Sequence, residues 1–391
     1  MDEEIELKVK EILSETLDWD YIIEYSVRQG ISSLLYWNLS RISNGKVVPY
    51  EITKHLEKIY YSNLARNILL YDELSKILKA FKKAGVDTIV LKGAFIAEEI
   101  YQNIGLRPMS DLDLLIKERD LIRVKNELTE LMYFSAFHTK HYEQLQTVLS
   151  NEHLFVHKDK EVYIDLHWNI LPPESPYKID VNKLWENAKL VNITGVETLI
   201  LAPEDLLQHL CLHLDNHINY STPEAQHFKN YCDIAEVTMH YREIINWSYF
   251  LQSSKGYGIE NPIFQVLFTA NKYFGAFIPG DVLNALEPAK SSTHFKETFN
   301  ELMQDNSSKK NQWKRIKFYM KLGKVSGIRN KLRILSGYVF PSKEFMMYHY
   351  SIKDEKRIYV YYLIRSVRVL KQILYILWRL PHYIFRYTFS K

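Results

Sequence analysis

The hydrophobic positions change period several times along the chain. Over residues 3–42 and 51–85 apolar side chains recur every three to four residues, which predicts helices. Within the second stretch Leu64, Ile68, Leu69, Leu74, Ile77, Leu78 and Phe81 form one stripe, and Gly85 stands where a helix end is expected. Val86 to Leu91 is a short β-branched run closed by Lys92-Gly93, so a strand and a turn follow. Residues 94–103 return to helix, and 105–110 read as a loop. Asp111 to Ile116 alternates and then runs apolar, as a strand entering a core does. Residues 118–132 read as helix. His153–His157 and Glu161–Trp168 are strand-like runs joined across Lys158-Asp159-Lys160, a hairpin pattern. Glu197–Leu201 is one more strand-like piece, and from Pro203 onward the pattern is almost all helical.

The expected fold class is therefore α+β, a small mixed β-sheet core embedded in a mainly helical chain. The domain boundaries that follow are a helical region over 1–85, the α+β core over 86–202, a second helical domain over 203–345 and a C-terminal helix over 346–391. No internal repeat is visible, and Ser307–Asn311 is the best candidate for an exposed loop.

Composition narrows the class. The chain has 391 residues, 47% hydrophobic and 25% charged, which excludes wholesale disorder, collagen and a disulfide scaffold. Two cysteines, Cys211 and Cys232, and an acidic, amphipathic start (MDEEIELKVKEI) point to a reducing, cytoplasmic setting without a signal peptide. The net charge of +3 conceals an asymmetry: residues 356–391 hold eight Lys/Arg and no Asp or Glu, so residues 1–355 carry 42 − 47 = −5. An acidic body argues against a generic nucleic-acid binder.

The segment that carries chemistry runs Leu91-Lys92-Gly93, then Gly105-Leu106-Arg107-Pro108-Met109-Ser110-Asp111-Leu112-Asp113-Leu114-Leu115. On a strand, Asp111 and Asp113 would project from one face about 6.6–6.8 Å apart. Two carboxylates facing one way need a positive charge between them, and a hard divalent cation supplies it, with Mg²⁺ typically bound by one or two carboxylates plus substrate phosphates. Asp165, flanked by apolar residues in Val162–Trp168, is costly there without a partner and is the natural third ligand. D-x-D alone is more often a solvated cap. The strand ending in Lys-Gly, the helix after it and Arg-Pro-x-Ser before the aspartates add what a triphosphate needs: glycine backbone, a helix N-terminus and cations.

This arrangement resembles the polymerase-beta-type nucleotidyltransferases. More closely, LKG, then G-x-R-P-x-S-D-L-D-L-L, then I-D-L-H-W resembles the group called the uncharacterised nucleotidyltransferase family. Residues 25–93, Leu206–His213, Asn230–Glu236, Val339–Ser342 and Tyr362–Arg368 resemble its other parts. The resemblance implies an enzyme that transfers a nucleoside monophosphate from an NTP, with ATP the expected donor, to a hydroxyl or phosphate of a small molecule, saccharide or peptide, releasing pyrophosphate. It implies two Mg²⁺ ions, or Mn²⁺, held by Asp111, Asp113 and Asp165, with Asp165 also a candidate general base. Lys92, Gly93, Ala94, Arg107 and Ser110 would bind the nucleotide, and His167, His213 and Asp233 would line the acceptor side or support the ligands. Two departures stand out. Ala94 occupies a position that is Ser or Gly in the wider superfamily, so only its backbone N–H is available. The gap from Gly93 to Asp111 is long, at 17 residues. The alternatives are a toxin-like enzyme acting on tRNA or protein, and a catalytically inactive nucleotide-binding or membrane-associated adaptor.

His209, His213 and His217 are spaced by four on one helix face, a pattern that suits a supporting role more often than a metal site. His138, His141, His153 and His157 have no cysteine partners and read as loop and strand residues. The tail from Ile358 to Phe389 has no uncharged stretch near the roughly twenty residues a spanning helix needs. It fits either a peripheral helix on an anionic membrane or a terminal helix packed on the acidic body.

Overall fold

The computed structural model describes residues 3–42, 48–136, 151–171, 175–220 and 227–288, together with 336, 340, 346, 358–368 and 371. Ser307–Asn311, His138, His141 and the tail beyond 371 lie outside the described residues. The chain forms two compact units, one of residues 1–134 with 154–310 and one of 135–153 with 311–391.

The first unit opens with three short helices, α1 (Glu3–Leu13), α2 (Trp19–Arg28) and α3 (Ser32–Ile42), and the long α4 (Tyr50–Lys83). Asp18 caps α2 by accepting from the Tyr21 N–H, and Gly30 at φ 70° breaks the chain before α3. Ile23, Leu39, Val48 and Leu56 close a small core between these helices. The buried face of α4 is rotated from the expected stripe. Ile68 is exposed, whereas Asn67 is buried, because the Asn67 amide donates to the carbonyls of Ile104 and Arg107. A polar residue is tolerated on the core face when its hydrogen bonds are satisfied.

The sheet follows: β1 (Ile89–Val90), β2 (Leu112–Leu115), β3 (Tyr133–Ser135), β4 (Glu152–His157), β5 (Tyr163–His167), β6 (Lys189–Ile193) and β7 (Val196–Ile200). Among the described residues its order is β3-β4-β5-β2-β1-β7-β6. β1 runs antiparallel to β2 and parallel to β7, and β2 runs parallel to β5, so the sheet is mixed, as expected. β1 is shorter than the run 86–91, yet its ladder extends at both ends through Leu91 N–H to Asp113 C=O and Leu199 N–H to Thr88 C=O. Helix α5 (Lys92–Phe95) passes into a π-turn over Ile96–Ile100, and a 3₁₀ turn (Glu118–Asp120) leads into α6 (Leu121–Glu130). The remaining helices are α7 (Val181–Asn187), α8 (Pro203–Tyr220), α9 (His227–His240), α10 (Trp247–Tyr257), α11 (Glu260–Phe274) and α12 (Gly280–Leu286). One continuous core joins α4, α5, the sheet and α8–α12, so the helices after Pro203 share their apolar interior with the sheet.

Buried Glu73 on α4 accepts from Tyr133 Oη at 2.8 Å and pairs with Lys76 at 2.8 Å and with Lys160. Burial works against its charge, but these three partners hold its carboxyl down at about 2. The Lys158–Lys160 turn is thereby tied to the long helix.

Candidate active site

β2 and β5 lie side by side in parallel, and the register sets Asp113 directly opposite Asp165. Both therefore project from the same face. His167, two residues further along β5, projects there too. Its Nε2 lies 3.4 Å from Asp113 Oδ1 and 3.6 Å from Asp165 Oδ2. One ligand atom from each of Asp113, Asp165 and His167 lies within 4.8 Å of the others, a donor set able to share a divalent cation. Asp111 stands one residue before β2 and accepts from Ser110 Oγ at 2.9 Å. The D-x-D pair thus spans the loop–strand junction, with Asp113 in the sheet and Asp111 at its mouth.

Lys92, the first residue of α5, brings its ammonium 3.0 Å from Asp113 Oδ1. Burial alone would raise the Asp113 carboxyl, but Lys92 and then His167 hold it well below the usual carboxylate range. Asp111 moves the other way: burial and then the Asp113 charge raise it, opposed by Lys92. Burial works against the Lys92 charge, but Asp113 and Asp111 raise it above its ordinary value.

Two features of the approach to β2 are set by close packing. A Cβ on Gly93 would lie 3.3 Å from Arg107 Nη1 and 3.4 Å from the Met109 sulfur, so glycine lets the loop lie against the first turn of α5. Ala94 is buried behind it, and its carbonyl accepts from Tyr71 Oη at 2.5 Å.

The loop is tied down from three sides. Arg107 donates to Asp233 on α9 through Nε at 2.9 and 3.0 Å and through a second guanidinium nitrogen at 2.8 Å, and both side chains are buried. Tyr101 Oη donates to the same carboxylate at 3.2 Å, just beyond the π-turn. Arg66 on α4 donates to the Ser110 carbonyl at 3.1 Å, and Asn67 holds Arg107 C=O at 2.8 Å.

Opposite Lys92 stands α8. His213 places its ring nitrogens 3.4 and 3.5 Å from the ammonium, and its ring centroid is 4.3 Å from that of His217 and 6.1 Å from that of His209. Burial, then Lys92, lowers all three imidazoles, His213 well below its ordinary value, His209 to about 3 and His217 to about 4, so the stripe is neutral at pH 7.

The expected residues thus gather in one place. Asp113, Asp165, His167 and Lys92 form the centre, with His213 against Lys92. Asp111 and Ser110 sit at its edge, Gly93 and Ala94 lie in α5, and Arg107 with Asp233 forms a buried pair beside it. Sequence reading missed Arg66, Asn67, Tyr101 and Lys229. Lys229 and Asp233 are four apart on one helix, a spacing that the pattern HFKNYCD displays, but its meaning depends on a loop more than a hundred residues away.

A sheet carrying paired aspartates from neighbouring strands, a lysine at a strand–helix turn and helices packed over them is the frame of a nucleotidyl-transferring enzyme. The chain belongs to the uncharacterised nucleotidyltransferase family, whose model matches residues 15–275, and it is a nucleotidyltransferase. No curated protein matches the sequence. Among solved structures it is similar to the antibiotic-resistance factor ANT(2'')-Ia, at 10% identity over 48% of this chain and 95% of that one with a TM-score of 0.32. It is also similar to an antigenic nucleotidyltransferase-like protein from Paracoccidioides brasiliensis, at 13% identity over 56% of this chain and 91% of that one with a TM-score of 0.34.

Proposed function

We propose that the chain transfers a nucleoside monophosphate from an NTP, ATP by expectation, to a hydroxyl or phosphate of a small molecule, saccharide or peptide. The bond from the acceptor oxygen to the α-phosphorus forms, the bond to the β-phosphate oxygen breaks, the acceptor loses its proton and pyrophosphate leaves. The observation that carries this reading is the Asp113–Asp165 register with His167 on the same face. Asp113 and Asp165, joined by Asp111 from the loop, are the residues that would hold Mg²⁺, and His167 is placed either to join them or to orient their oxygens. When bound, such an ion neutralises phosphate charge and lowers the pKa of an attacking hydroxyl. Lys92 fixes the Asp113 carboxylate in its charged form. Asp165, which is partly exposed, is the carboxylate that would take up the acceptor's proton. The N–H groups of Gly93 and Ala94, with Ser110, would meet the phosphates.

The test uses α-labelled ATP, GTP, CTP and UTP, Mg²⁺ and a small-molecule extract. Label should move to a new product with pyrophosphate release, and a chelator should stop it. If none of the four Mg²⁺–nucleotides binds the purified chain, the reading is wrong.

A second reading concerns the tail. Among the described residues no helix is long and apolar enough to cross a membrane. Residues 358–368 are helical, and Tyr359, Val360, Leu363, Ile364 and Val367 are exposed at three-to-four spacing, while Ile358 packs on Met346 in the other direction. An outward apolar stripe in a segment rich in Lys and Arg supports peripheral contact with an anionic bilayer. The full chain should float with phosphatidylserine vesicles and lose most of that association on Leu363→Glu with Val367→Glu. Equal flotation of the variant would remove this helix from the contact.

A further inference from the structure

Lys229 lies on α9 one helical turn before Asp233, so both side chains point toward the loop over 105–110. Their situations differ. Asp233 is fully engaged by Arg107 and Tyr101. Among the described residues the Lys229 ammonium has a single hydrogen bond, to the Pro108 carbonyl at 3.5 Å, the outer limit for such a contact, and no carboxylate within ion-pairing distance. Lys76, Lys92, Lys117 and Lys160 each have such a carboxylate. Burial, then the Arg107 charge, lowers Lys229 to about 8, and Lys92 adds to this while Asp233 and Asp111 oppose it. A half-buried cation beside two others, without an ion pair, is unfavourable unless an anion completes its surroundings.

The neighbouring cations cannot take that place. The Arg107 guanidinium faces Asp233, and the Lys92 ammonium faces Asp113. Asp111 and Ser110, the outer edge of the proposed metal and phosphate site, lie in the same loop as Pro108.

We propose that Lys229 is the phosphate-gripping residue of the helical half of the site: its ammonium holds the phosphate chain of the nucleotide from the α9 side while the proposed metal ligands face it from the sheet. The inference rests on the nucleotidyl-transfer reading above. It makes Lys229 a binding residue that is unfavourable for the empty protein and favourable for the complex.

Two readouts on the full chain test it together. The affinity of wild type for the Mg²⁺ complexes of ATP, GTP, CTP and UTP is measured by calorimetry, and the tightest is compared with its nucleoside. Lys229→Met should weaken the nucleotide at least tenfold, about 1.4 kcal/mol, while nucleoside binding changes less than twofold. Lys229→Arg should recover part of the loss. The nucleotide-free Tm of Lys229→Met should equal or exceed that of wild type, because a half-buried charge without an ion pair is gone. If wild type binds no Mg²⁺–nucleotide, the nucleotidyl-transfer reading itself fails. If wild type binds and Lys229→Met binds within twofold, or if Lys229→Met lowers Tm and weakens nucleoside and nucleotide alike, the residue is structural and the proposal is overturned.

Discussion

Asp113→Asn is expected to lower nucleotidyl transfer by at least about a hundredfold to a thousandfold, the range seen when one preorganised electrostatic contact to a developing charge is removed. Asparagine keeps the size and shape of the side chain, so β2 keeps its pairing. What disappears is the negative charge 3.0 Å from Lys92 and directly across from Asp165. The amide cannot serve as a carboxylate ligand, and the Lys92 ammonium loses the partner that supports its charge. Asp165→Asn should fall into the same range, since the two oxygens face a common point with His167. Circular dichroism and gel filtration check that each variant is folded, and pyrophosphate release under saturating Mg²⁺ and nucleotide gives the comparison. A folded Asp113→Asn that keeps more than a tenth of wild-type turnover would remove this residue from the chemistry.

The second large effect is on stability. Asp233→Ala leaves the Arg107 guanidinium buried without its carboxylate and also strips Tyr101 of its acceptor. Breaking a buried ion pair from one side costs about 3–5 kcal/mol, which for a unit of this size is a fall in Tm on the order of 10 °C. The cost comes from the orphaned charge rather than from the lost attraction. The double variant Arg107→Met with Asp233→Leu should therefore recover most of the Tm, although the loop before Asp111 loses its anchor and turnover stays low. Thermal unfolding of the three proteins decides the point. A single variant within 1 °C of wild type would mean that the pair contributes nothing measurable.

These two sites differ in how well the chain announces them. Asp113, Asp165 and His167 are legible because strand periodicity is two and each sits among apolar neighbours, where a polar side chain stands out. The periodicity does not reveal that β2 and β5 are parallel neighbours with Asp113 opposite Asp165, since the two strands lie about fifty residues apart in the chain and the pairing Asp113↔Asp165 has no local signature. Alternation extends the strand back to Asp111, which lies just outside because pairing with β5 begins at Leu112. β3 is three residues long, too short for an alternation to register. β6 has no clean alternation to announce it, since adjacent Leu190 and Val191 put apolar side chains on both faces and Leu190 is exposed. The hairpin it forms with β7 had a usable signal in Thr194-Gly195, whose φ angles of 53° and 76° suit the turn type in which both central residues are left-handed. On α4 the periodicity misplaces Ile68 and Asn67, because satisfaction of an amide by distant carbonyls has no local signature. The same holds for Lys229, whose meaning arises only from what surrounds it.

The clasp between Arg107 and Asp233 also has a consequence in time. The two residues are 126 positions apart in the chain. At ordinary rates of synthesis the ribosome needs on the order of ten seconds to travel from one to the other. Throughout that interval the nascent sheet carries a guanidinium with no carboxylate to receive it, so the loop leading into the D-x-D pair has its ties to α4 but not those to Asp233 until α9 has emerged. A fragment cut at residue 202 stays permanently at that stage. The candidate site is thus completed by a helix made after the sheet, and a chain stalled before residue 233 lacks the Arg107–Asp233 clasp.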